Sequence, residues 1–342
     1  LAGDPCFTVD ASSITFGRGA LGEAGAALRL AGCRRVALFT DRVVSRTAWF
    51  PAVTASLRQA GVDAAIYDEV RIEPDEASFQ AAGQFFRDGG FDGVLSVGGG
   101  SVMDTAKAAA LLGRYPAELA RYLGPPLGAG EPVPGPLPPH VACPTTCGTG
   151  SECTGIAVCA LPARRTKAGI SHRLLRPVRA LVDPLVTTTL PAAVVAASGF
   201  DVLCHALESY TARPHTRRPP PAAPELRPLS QGANPYSDIG CREALTLCGR
   251  YLLRALDARL ERGEQSLIFL NRRGYAPVLS CPSCGWVSRC PHCSANMVLH
   301  LADKRLRCHH CSFDAGIPLA CPDCGDQDIQ PFGRGTQRLE ET

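Results

Sequence analysis

Residues 93–107 read GVLSVGGGSVMDTAK. The apolar run GVLSV leads into Gly98, Gly99 and Gly100, then Ser101, then an alanine-rich stretch with helical spacing. This is the pattern of a buried strand, a tight turn and a helix in direct succession. Glycine lets the backbone approach a pyrophosphate closely, and a helix N-terminus offers free N–H groups and a favourable dipole. An ordinary strand-to-helix turn would explain the same residues. A second segment competes: FGRGALG at 16–22 sets Gly17, Gly19 and Gly22 at GxGxxG spacing, with Asp41 about twenty residues on, closing the strand VALFTD. Spacing alone leaves both open.

Outward from this stretch, β-branched runs (RRVALFTD, FDGVLSVGGG, RALVDP) alternate with helical ones up to about residue 185, which predicts βαβ units and a parallel sheet. From Pro191 the texture turns helical, PAAVVAASGFDVLCHALESYTA, breaks at the proline-rich RPHTRRPPPAAPELRP, and resumes as SDIGCREALTLCGRYLLRALDARLERG. Beyond Gly263 a strand, QSLIFLN, precedes a cysteine-rich end. The expected organisation is a Rossmann-like α/β domain over 1–185, a truncated all-helical domain over 186–256 and a small double zinc-ribbon module over 257–342.

With 342 residues the chain can bury more than one core. Its formal charge of +3 gives no chain-wide attraction to nucleic acid or membrane, so any such role must be local. No run of about 18 apolar residues and no secretion-signal layout is evident, which predicts a cytoplasmic protein without a membrane partner.

Three motifs carry a resemblance. GGGSVMDTAK, PTTCGTGSE at 144–152 and SGFDVLCHALESYTA at 198–212 resemble the iron-containing alcohol dehydrogenase family, and QGANPYSDI at 231–239 is similar to its hydroxyacid-oxoacid transhydrogenase branch. The resemblance spans about Cys6 to Leu256. It implies an NAD-binding α/β domain and a helical iron domain that oxidise a small hydroxyacid, such as 4-hydroxybutyrate to succinate semialdehyde. By motif position, Gly99, Gly100 and Ser101 would face the NAD pyrophosphate, Asp41 the adenosine ribose, and Thr145, Thr146 and Thr149 the cofactor from a second loop. Lys167, in RRTKAGIS, falls where the family has a cofactor-proximal lysine; as a bare residue it is a surface charge. FGRGALG becomes a structural opening turn.

Asp201 and His205 are four apart, on one face of a helix, with a carboxylate and an imidazole aimed at one point. The resemblance makes them Fe(II) ligands and implies two further histidines downstream, which this chain lacks. His215, inside the proline-rich loop, reads as a surface residue. Two ligands hold a divalent metal weakly, so the iron site is expected to be incomplete and no catalytic set to be whole. The apolar faces of the two helical stretches are expected to lack packing partners.

The eight cysteines at 281, 284, 290, 293, 308, 311, 321 and 324 form four CxxC knuckles, enough for two closed Zn(Cys)4 sites. Five residues between the first two knuckles is tight for folding one onto the other, whereas fourteen between the second and third suits a zinc-ribbon hairpin. The expected pairing is therefore nested: Cys290, Cys293, Cys308 and Cys311 on one zinc, and Cys281, Cys284, Cys321 and Cys324 on the other. RGEQSLIFLNRRGYAPVLSCPSCGW before the knuckles and GRGTQRLEE after them resemble primosomal protein N′, a replication-restart DNA helicase, over about 257–341. That resemblance implies contacts with DNA or primosome proteins, with Arg272 and Arg273 as candidate phosphate contacts. No lysine lies in a G-K-[ST] loop, which excludes a phosphate-loop ATPase. Residues 262–342 hold nine Lys/Arg and eight Asp/Glu, and two Zn(Cys)4 centres add about −2 each, leaving about −3, so avid DNA binding by counterion release is not expected. The chain thus reads as a chimera of two truncated families: an oxidoreductase that has lost part of its metal site or, alternatively, a zinc-binding helicase fragment without ATPase.

Overall fold

The computed structural model describes residues 3–260 (backbone only for 256–260), 278–293, 296–300, 303–308, 311 and 313–332. The chain divides into two compact units, Leu1–Ser266 and Leu267–Thr342.

In the first unit, eight strands run β1 (Ser13–Phe16), β2 (Arg35–Phe39), β3 (Asp63–Tyr67), β4 (Gly93–Gly98), β5 (His140–Pro144), β6 (Ile156–Leu161), β7 (Thr166–Ser171) and β8 (Arg179–Val182). Helices α1 (Ala24–Leu30), α2 (Phe50–Gln59), α3 (Glu76–Gly89) and α4 (Gly100–Arg114) lie among them. Six strands form one parallel sheet in the order β1-β8-β5-β4-β2-β3, and β6 with β7 makes a separate antiparallel hairpin. Every residue of β4 and of β5 is buried, as an apolar run covered on both faces should be. The order reverses between β2 and β4, so the loops leaving these strands diverge and open a crevice at their carboxyl ends, where ligands of such sheets bind.

Local chemistry sets the helix ends. Asp75 caps α3 by accepting from the Ser78 N–H at 2.8 Å, and Gly90 stops it in the left-handed conformation. Gly19 N–H donates to Asp183 Oδ2 at 2.9 Å, and Leu21 N–H reaches the same oxygen at 3.4 Å. The FGRGALG turn therefore already holds an internal carboxylate, which accounts for its structural role.

Two longer helices follow, α5 (Ala192–Tyr210) and α6 (Pro235–Leu260), packed on each other; a Cβ added at Gly199 would stand 2.6 Å from Leu252 Cδ1. Their other faces leave Leu207, Tyr210, Ile239, Leu247, Tyr251 and Leu253 exposed. One expectation is corrected here. At 19 residues and a mean hydropathy of 1.2, α5 is by length and composition long and apolar enough to cross a membrane. Yet it carries Asp201, His205 and Glu208, all lining an open cleft, and a carboxylate at a bilayer centre costs ~3 kcal/mol.

In the second unit, β9 (Val278–Ser280) pairs with β13 (Gln330–Phe332), and β10 (Val298–His300), β11 (Arg305–Arg307) and β12 (Asp314–Gly316) form an antiparallel sheet. Its small core gathers Leu279, Met297, Leu299 and Leu306 with Cys290 and Cys308. The expected strand QSLIFLN and the arginines Arg272 and Arg273 lie outside the described residues.

Candidate active site and thiolate clusters

A cleft of about 1180 Å³ opens at the carboxyl ends of the sheet. One wall is the first turn of α4. Gly99 caps that helix in an extended conformation, and no side chain takes the cap hydrogen bond, which leaves the helix N-terminus available. The loop after β5 leans on this turn. A Cβ at Gly99 would lie 3.2 Å from Thr146 Oγ1, and one at Gly100 would lie 3.0 Å from Thr149 Cγ2. Glycine is thus what lets the two loops close on each other. Thr145 is buried, its N–H donating to Gly98 O at 3.0 Å.

The same loop reaches α5 through Gly148, whose φ of +123° disfavours any side chain; a Cβ there would stand 2.9 Å from Ser198 O and 3.0 Å from the Asp201 side chain. Gly148 O also faces His205 Nδ1 at 2.9 Å. A carbonyl only accepts, so Nδ1 carries the hydrogen, and Nε2 is the ring nitrogen that faces Asp201 Oδ1, 3.7 Å away. An imidazole and a carboxylate thus lie side by side on one face of α5. Among the described residues no third histidine, cysteine or carboxylate donor converges on the pair. His215 is engaged elsewhere, its ring edge-on to Phe7 at 5.0 Å and its Nδ1 3.2 Å from Ala233 O.

The structure therefore brings Gly100, Ser101, Thr149, Lys167, Asp201 and His205 to one cleft, with Gly99, Thr145 and Thr146 directly behind. Asp41 closes β2 next door and does not line the cleft; its Oδ1 accepts from the N–H groups of Val43 at 2.8 Å and Val44 at 2.9 Å.

Sequence reasoning missed several cleft residues. Beneath the floor, Lys107 is wholly buried and donates from Nζ to Ser151 Oγ at 2.7 Å and Ile156 O at 2.8 Å. Ser151 in turn donates to Asp104 Oδ1 at 2.6 Å, and the Val158 N–H donates to Asp104 Oδ2 at 3.0 Å. Burial lowers the Lys107 ammonium to about 8 and raises the Asp104 carboxyl, each opposed by the other's charge. This network pins α4, the loop at 151–156 and β6 together. Asp104 and Lys107 share a helix face in SVMDTAK, a signal the spacing offered. At the mouth, Lys167 Nζ lies 2.7 Å from Glu73 Oε1, and nothing in the sequence marked Glu73. The far wall joins residues 8–10 to QGANPYSD: Gln231 accepts from Thr8 N–H at 2.7 Å and donates to Thr8 O at 2.8 Å, while Asn234 Oδ1 caps α6 through the Tyr236 and Ser237 N–H groups.

In the second unit the thiols gather in two fours, Cys281, Cys284, Cys321 and Cys324, and Cys290, Cys293, Cys308 and Cys311, the sulfurs of each within 4.8 Å of one another. CPSCG and CPDCG fold alike, Gly285 and Gly325 each taking positive φ and donating an N–H to the carbonyl of the leading cysteine at 2.9 Å. Four thiols at this spacing fit a tetrahedral Zn²⁺ by donor chemistry.

Comparison with known proteins agrees with this geometry. Residues 11–184 match the family model for iron-containing alcohol dehydrogenase, and residues 290–315 that for the PriA DNA helicase Cys-rich region (CRR) domain. The chain is 46% identical over 255 residues to the mitochondrial hydroxyacid-oxoacid transhydrogenase of Bos taurus, covering 74% of this chain and 55% of that one. The Homo sapiens protein of the same name is 45% identical with the same coverage. The chain thus spans about half the length of the curated relatives it matches. Among solved structures, a 1,3-propanediol oxidoreductase aligns at TM-score 0.63 and 29% identity over 74% of this chain and 60% of that one. A sulfoacetaldehyde reductase from Bifidobacterium kashiwanohense, in complex with NAD+, aligns at 0.61 and 26% over 73% and 60%.

Proposed function

Since the chain belongs to the iron-containing alcohol dehydrogenase family, we propose that its first unit is a dinucleotide-binding oxidoreductase module of the hydroxyacid-oxoacid transhydrogenase kind that binds NAD but does not turn over. The observation that carries this is the convergence of Gly100, Ser101, Thr149 and Lys167 in one cleft with Asp201 and His205, a pair that no third donor joins among the described residues. Bound NAD would supply the hydride acceptor. The chain's own part is to admit it: glycine at 99 and 100 clears the approach to the α4 N-terminus, and Lys167 offers a cation at the mouth. Asp41 is assigned to the adenosine ribose by motif position alone. A small hydroxyacid such as 4-hydroxybutyrate is the proposed substrate class, by the names of the relatives. With two donors the site cannot hold Fe(II) firmly, and no hydride step is derived through it. Titration of the chain with NAD should show binding, while anaerobic loading with Fe(II) should give no transhydrogenase turnover. Turnover that vanishes in His205→Ala would defeat the proposal, because it would require a completed metal site.

A second reading rests on the two thiol clusters. Residues 257–342 are proposed as a helicase-type double zinc module joined to the dehydrogenase part, a docking element for DNA or primosome proteins without motor activity. Thiolate ligation needs a reducing compartment, so a cytosolic location is proposed with it. Metal analysis should find two zinc ions per chain and one in Cys281→Ser; zinc-free wild type would refute the module.

A further inference from the structure

Glu73 lines the cleft and meets Lys167 there. It adopts φ +55°, a conformation that a side chain larger than glycine's keeps only when its surroundings hold it. It is held on both sides: its N–H donates to Ser101 Oγ at 3.2 Å, and the carbonyl of Pro74 accepts from the Ala160 N–H of β6 at 2.8 Å. The carboxylate then meets Lys167 Nζ at 2.7 Å, and both side chains line the cleft beside Gly100 and Ser101 of the first turn of α4. An oxygen anion held against an ammonium, in a cleft that also opens on a helix N-terminus, meets part of what a phosphate oxygen would meet there. Neighbouring charges are committed elsewhere: Arg71 pairs with Asp75, and Asp104 with Ser151 and the Val158 N–H. The pair also does little for stability, since its side chains are 57% and 63% exposed and such pairs are weak.

Resting on the reading of this cleft as a dinucleotide site, we propose that Glu73 is an internal counter-ion that pairs with Lys167 and gives it up to the pyrophosphate of NAD when the cofactor binds. Glu73 thereby weakens cofactor binding, and the loop carrying it sets the affinity of the site. The test is calorimetric titration of the full chain with NAD, for wild type, Glu73→Gln, Lys167→Met and the double variant, at low and high salt, with thermal midpoints as a check on folding. Glu73→Gln should tighten NAD about three- to fivefold, the scale of one exposed ion pair. The gain should shrink at ~1 M salt, where the screening length is about 3 Å, and should vanish in the Lys167→Met background. Unchanged or weaker binding by a folded Glu73→Gln, with wild type binding NAD, overturns the inference alone, as does a gain that survives loss of Lys167. Absence of NAD binding in all four folded proteins overturns the dinucleotide reading itself and the inference with it. Should Glu73→Gln prove unstable, Glu73→Asn removes the same charge and tolerates the left-handed backbone.

Discussion

Lys107 is the one lysine or arginine fully buried among the described residues, and its burial has a sign that can be worked out. Folded, it titrates at about 8, against a model-peptide value of 10.5. Between those values the folded chain binds fewer protons than the unfolded one, so the contribution of this group to stability rises with pH through that window. Replacement by methionine leaves Asp104 and the Ile156 carbonyl buried without their ammonium. The expected cost is about 3–5 kcal/mol near neutral pH, as for a broken buried pair. Chemical unfolding of wild type and Lys107→Met at pH 7 and pH 10 checks both statements: the variant should be less stable throughout, and the gap should widen at the higher pH. A gap that narrows would mean the folded ammonium is not depressed.

At the scale of elements, the loop between β5 and β6 is the joint of the site, touching α4 through Thr146 and Thr149 and α5 through Gly148. Gly148→Ala puts a side chain into a positive-φ position and against Ser198 O, and should cost about 1–3 kcal/mol. It should also disturb the carbonyl that orients His205. A drop in thermal midpoint together with weakened divalent-metal binding is expected; an unchanged midpoint would show that the loop can move aside. Much of this was legible from local signals. The strand, glycine turn and helix of 93–107 needed only apolar period and glycine chemistry, and the nested thiol grouping followed from loop lengths. Glu73 was not legible, because its role depends on a partner 94 residues away in sequence. Neither was the tie between Gln231 and Thr8, whose separation is 223 residues. No periodicity encodes such meetings; only the completed topology does.

For the whole molecule, the division into two units matches two separate sources of order: apolar burial around a parallel sheet in one, and thiol clusters in a unit whose apolar core is small. The α5–α6 pair belongs to the first unit yet shows solvent a row of large apolar side chains, including Leu253 and Ile239 at 65% exposure each. Their helical period was readable, but what would cover them was not. The sheet itself carries a final consequence. Its first strand, β1, pairs only with its last, β8, with Ser13 opposite Arg179. During synthesis β1 leaves the ribosome without its partner, and at about 5–20 residues per second it waits roughly ten to thirty seconds before β8 exists. Until then Ile14 and Phe16 belong to a strand whose pairing edge is open, so the sheet grows from its β3 edge across to β8 and closes last with β1, across the longest sequence separation among its strand pairings.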